Sequence, residues 1–199
     1  RWNPIAGCTD FDVARRRGAA LALGSTKAMG EGNSRWFAER GAQILGYLFH
    51  AAALGDRTIA DIQAWVSAPR EAVAILERAK GPTTVRMAGA LNDLMVEMAP
   101  ETAAGFIGTI QGALEPLMIP AVYEMRTPSV EDSFDVAAFI SSRDTLWVLS
   151  PDSEGALAAI TTMFVNDIYE VARALSARKP GGRHVPAISF ILDEAANIA

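Results

Sequence analysis

Two adjacent carboxylates, Asp193 and Glu194, follow directly on the apolar run Ala187-Ile188-Ser189-Phe190-Ile191-Leu192. A run of that length reads as a buried parallel strand covered by helices on both faces. At the carboxyl end of such a strand, side chains face the crevice in which open α/β sheets bind ligands. One carboxylate there can hold Mg²⁺, directly or through a coordinated water, and the other can orient the water that attacks a phosphate. The pattern is that of a Walker B strand, with Asp193 as the metal- and cofactor-binding residue and Glu194 as the catalytic one. The plainer reading is a core strand that leaves its sheet at a polar turn. No Gly-x-x-x-x-Gly-Lys-Ser/Thr loop occurs in the chain, and Gly24-Ser25-Thr26-Lys27 lacks that spacing. ATP and Mg²⁺ are therefore expected in an intact parent protein. Residues 1–199 by themselves are expected to hold neither and to hydrolyse nothing.

The elements that must position the pair come last in the chain. Thr145-Leu146-Trp147-Val148-Leu149 is β-prone and ends at Ser150-Pro151-Asp152. Ser153 can cap a helix over 154–177 whose apolar face carries Ile160, Phe164, Ile168, Val171 and Leu175. Gly181-Gly182 then turns the chain into the strand of the Asp-Glu pair. This is a βαβ unit of the length that a right-handed crossover needs. His184, in the same Gly/Arg turn, reads as a surface histidine.

Before it, residues 1–5 read as extended, because Pro4 disfavours helix at Asn3. About 130 helical residues follow. Asp10 can cap a helix over 11–23 that stops at Gly24, and Arg15, Arg16 and Arg17 on it read as a solvated face. Residues 27–33 read as a Gly-rich loop. Ser34 opens a long helix to Leu54 with Ile44, Leu45, Leu48 and Ala52 on the core side and Glu39, Gln43 and His50 opposite. Thr58 with Asp61 marks a third helix, to Ser67, and Pro69 opens a fourth, to Ala79. A fifth starts at Thr83 or Thr84, carries Ala88, Leu91, Met95 and Met98, and ends at Pro100. A sixth spans about 102–117 and can bend on toward Met125. After a loop at 126–133, residues 134–141 read as a short helix. The fold class is thus mainly α: an all-α domain (9–142) set between a strand segment (1–8) and a βαβ unit (143–199) of a partial α/β nucleotide-binding domain.

Composition bounds the function classes. The chain has 199 residues, half of them hydrophobic, which permits a real core. A net charge of −5 argues against a surface wrapped wholly in nucleic acid and leaves a local basic groove open. The lone Cys8 has no internal disulfide partner, which fits a reducing compartment. Residues 103–123 are apolar but contain Gln111, Glu115, Pro116 and Pro120, and read as a core helix broken near the prolines rather than a membrane span.

With these residues in view, the chain resembles the coupling ATPases of type IV secretion and conjugation. The resemblance rests on Trp2-Asn3-Pro4-Ile5 before the helical block, Thr145-Leu146-Trp147-Val148 after it, and Ile191-Leu192-Asp193-Glu194-Ala195-Ala196-Asn197-Ile198. In that family an all-α domain lies between the Walker A and Walker B segments of a RecA-like P-loop domain, which the resemblance implies for the partial α/β domain here. Ala195 and Ala199 depart from it, which often has an aromatic and a glycine at these places. The resemblance implies a segment of a cytoplasmic, ATP-driven homo-hexamer held to the inner face of the cell membrane by parts outside this sequence. It implies DNA as a partner in the intact ring. It also implies that the helical domain recognises a relaxosome or a secreted substrate protein. The competing reading is a non-enzymatic helical protein-interaction scaffold whose Asp-Glu is accidental.

Overall fold

Eight α-helices carry the chain through the residues that the computed structural model describes, which are 1–26, 34–118, 133–149 and 155–192. They are α1 (Phe11–Thr26), α2 (Ser34–Leu54), α3 (Ile59–Ser67), α4 (Arg70–Arg78), α5 (Pro82–Asn92), α6 (Pro100–Leu114), α7 (Val136–Ser141) and α8 (Gly155–Ala177). The expected loop over 27–33 and, but for Ser133, that over 126–133 lie outside the described residues, as do Asp193 and Glu194.

Local chemistry sets most helix starts. The Asp10 carboxylate accepts from the Asp12 N–H at 2.8 Å and opens α1. Thr58 and Asp61 form a full capping box at α3. Hydrogen bonds from the Thr58 N–H and hydroxyl, each 2.7 Å, hold the Asp61 carboxyl below its ordinary pKa. Asp135 caps α7 through the Ala138 N–H. Several boundaries differ from expectation, two of them instructively. α1 runs on past Gly24, since one helical glycine costs only about 1 kcal/mol. The expected fifth helix widens into a π-turn over Asp93–Glu97 before Pro100 begins α6.

α2 is the central element. It packs on α1, α3, α4, α5 and α6, and every residue from 44 to 52 is buried. Its crossing with α1 is antiparallel: Phe11 meets Tyr47 and His50, while Gly18 lies against Ala42, Leu45 and Gly46. A β-carbon added at Gly18 would sit 2.6 Å from the Gly46 nitrogen and 3.0 Å from the Ala42 oxygen. Backbone cannot swing aside as a side chain can. Gly18→Ala is therefore expected to destabilise by roughly 1–3 kcal/mol of overpacking, in spite of alanine's better helix propensity. Gly89→Ala, with nothing within 4 Å of its added carbon, should be neutral or stabilising. Paired urea melts test this, and equal stabilities for the two variants would refute the close crossing.

The apolar interior falls into two clusters. The larger includes Leu21, Ile44, Leu48, Phe49, Ile62, Leu76, Leu91, Phe106, Ile110 and Leu114. The smaller is Val136, Ile140, Ile168 and Ala172, with Phe134, Phe164, Leu146 and Ile188 against it. α8 joins them: Ala159 and Met163 lie in the first, Ile168 and Ala172 in the second. Trp2 touches both.

The mainly helical class is as the sequence implies. No strand occurs among the described residues. Residues 4–9 form successive turns, closed by Ala6 N–H to Asn3 O and Cys8 N–H to Ile5 O. Residues 145–149 and 187–192 are irregular and make no backbone hydrogen bond to another described residue. A strand exists only where its N–H and C=O groups meet a neighbour, so β-prone residues without a partner stay unpaired.

Candidate functional site

Three segments converge on one end of α8. Trp2, Leu146 and Ile188 each place one side chain on the cluster built by α7 and α8. The first is tied down by backbone: the Phe134 N–H donates to Arg1 O at 2.6 Å and the Asn3 N–H to Ser133 Oγ at 3.0 Å. The third returns along α8, where Phe190 meets Tyr169 at 6.1 Å. Other apolar side chains of these segments face solvent: Trp147 is 81% exposed, Leu149 91% and Ile191 92%. Ile188 and its neighbours lead directly into Asp193 and Glu194. The described chain thus gives the approach to the carboxylate pair and not the pair.

Behind this surface stands a polar node that the sequence reading did not find. Arg17, expected on a solvated face, is 6% exposed. Its Nε and Nη2 donate to the two Asp167 carboxylate oxygens at 3.3 and 2.7 Å, an α1-to-α8 fork that is buried on both sides. Nη1 donates to Pro4 O at 2.8 Å and also to Ala6 O. The guanidinium lies 5.0 Å from the centre of the Trp2 ring. The node therefore sits where the two apolar clusters meet. A sequence signal existed: of the three arginines only Arg17 shares a helical face with the buried Ala14 and Leu21.

His50 is likewise buried, where the sequence placed it on a polar face. Its Nδ1 lies 2.8 Å from the Cys8 carbonyl oxygen and donates to it. The reason is that residues 44–52 of α2 have no solvent side, so a polar residue there must find an internal partner. Burial pushes the neighbouring Cys8 thiol up to about 11, against the pull of the Arg17 guanidinium 3.6 Å away. A thiol held neutral in this way is a packing group rather than a nucleophile.

Just beyond the same C-terminal end of α8, Lys179 Nζ donates to His184 Nε2 at 2.9 Å, and His184 Nδ1 donates to Pro186 O at 3.2 Å. His184 is half-buried and its two ring nitrogens are both engaged within the turn. No group of three His, Cys, Asp or Glu side chains suited to a metal ion occurs among the described residues. No described helix is long and apolar enough to cross a membrane. No family model, curated protein or solved structure matches the chain.

Proposed function

We propose that residues 1–199 belong to an ATPase that couples DNA or protein substrates to a type IV secretion or conjugation channel. In this reading α1 to α7 recognise the relaxosome or secreted substrate protein. The segments 145–149 and 187–192 are strands of a RecA-like sheet, with α8 as the crossover between them. Asp193 holds Mg²⁺ of the bound ATP and Glu194 orients water, in a hexameric ring that also carries DNA. The observation that supports it is the convergence of Trp2, Leu146 and Ile188 on the cluster beside α8, with Trp147, Leu149 and Ile191 left bare. Exposed apolar side chains on segments with unpaired backbone are what sheet strands present before their neighbours are added.

The test uses the full-length protein. Glu194→Gln is expected to keep ATP binding and to lower turnover by about 10²–10⁴-fold, because an amide cannot accept the water proton. Asp193→Asn is expected to weaken Mg²⁺-dependent ATP binding as well. Parent-like hydrolysis by Glu194→Gln would remove the catalytic role and leave the pair structural.

A further inference from the structure

The turn that ends α8 concentrates positive charge in an otherwise acidic protein. Residues 171–192 contain Arg173, Arg178, Lys179 and Arg183 and no Asp or Glu, whereas the whole chain carries −5. Arg173 is spent on Glu170 at 2.7 Å. Arg178, Lys179 and Arg183 are exposed, and none makes an ion pair with a described carboxylate. The turn gathers them. Gly181 and Gly182 take left-handed φ values of 73° and 65°, and the Gly182 N–H closes back on Lys179 O at 2.9 Å. Lys179 and Arg183 therefore flank a single tight turn, and His184 steadies the lysine head. The end of a helix carries only about half a negative charge, so three cations exceed what α8 itself needs.

We infer that this basic turn, residues 178–184, is a contact for the phosphate backbone of nucleic acid, taken without reading base sequence. Two guanidinium groups and an ammonium on one turn offer charge-assisted donors to phosphate oxygens. Between the cations stand Pro180, Gly181 and Gly182, which offer no apolar side chain of the size that inserts into a bilayer. A lipid surface is the poorer fit for that reason. Over residues 9–142, by contrast, acidic side chains outnumber basic ones, and that block is expected to bind DNA poorly. The inference deepens the DNA part of the proposed function and takes its biological sense from it. The two fail separately, because binding is measured here without ATP.

The probe is a fluorescently labelled random-sequence duplex, titrated with residues 1–199 at several salt concentrations and followed by anisotropy. Binding is expected at a Kd of about 10⁻⁴–10⁻⁶ M, and three contacts should give a log–log salt slope of about −2.7. The combined Arg178→Glu, Lys179→Glu and Arg183→Glu change should weaken binding at least about tenfold and flatten that slope, with an unchanged far-UV spectrum. Arg178→Lys with Arg183→Lys should retain most of it, as the charge is kept. Wild-type binding by the triple variant, no binding by the wild type, or binding to phosphatidylserine vesicles in place of DNA would each overturn the inference.

Discussion

Arg17→Met is expected to cost the fold about 3–5 kcal/mol, the range for removing one partner of a buried ion pair. The loss is not that of one contact. Asp167, 7% exposed, would be left with both oxygens stripped of the Arg17 donors. The Pro4 and Ala6 carbonyls would lose the donor that holds the first turns against α1. Trp2 would lose the cation over its ring, and with it part of the joint between the two apolar clusters. Asp167→Leu should cost less, since Arg17 keeps its two carbonyl acceptors. The double variant should recover much of the loss, because apolar replacement of both charges is often tolerated. Recovery should stay incomplete, since the Ala6 carbonyl loses the Arg17 donor and Pro4 O is left with the weak Cys8 thiol donor at 3.4 Å. Urea melts of the two single variants and the double variant measure the coupling. An Arg17→Met protein within about 1 kcal/mol of the parent would show that the node is not structural.

Leu48→Asp is expected to leave little folded protein. Leu48 is fully buried in the middle of α2, inside the run from 44 to 52 that has no solvent side. Losing the leucine and leaving a cavity costs about 2–5 kcal/mol. An unpartnered carboxyl in its place adds about 1–3 kcal/mol even when neutral. Together these approach the whole stability of a typical domain, about 5–15 kcal/mol. The penalty also has a pH sign. A carboxyl buried among apolar groups ionises at higher pH in the folded than in the unfolded state. The deficit is then smallest below the unfolded value of about 3.9 and deepens as pH rises above it. Leu48→Met should lose less than about 1.5 kcal/mol, because volume and polarity are nearly kept. Far-UV circular dichroism against temperature, at pH 4 and pH 7, reads all of this. Melting of Leu48→Asp equal to that of the parent would place Leu48 outside the core.

Most helices were legible because their signals are local. Asp10 and Thr58 with Asp61 act on N–H groups within a turn, and the apolar spacing of Leu91 and Met95 or Ile110 and Leu114 repeats every turn. The π-turn at Asp93–Glu97 was not legible, since no Gly or Pro inside it interrupts the helical pattern. The chemistry of Asp193 and Glu194 was legible as residue types at the end of an apolar run. Their placement lies outside the described residues.

What the sequence determined by itself is therefore what depends on neighbours within about four positions: helix starts, apolar faces, and an acidic chain with one basic turn. What only the tertiary structure decided is which faces are sealed. Arg17 and His50 looked like solvent residues on amphipathic helices. They are buried because α8 covers one side of α1 and the N-terminal turns bring Cys8 against α2. The pairing of Arg17 with Asp167 spans 150 positions. A helix period shows which residues share a face. It carries no information on how many other helices will cover that face, because that depends on the packing of elements far apart in the chain.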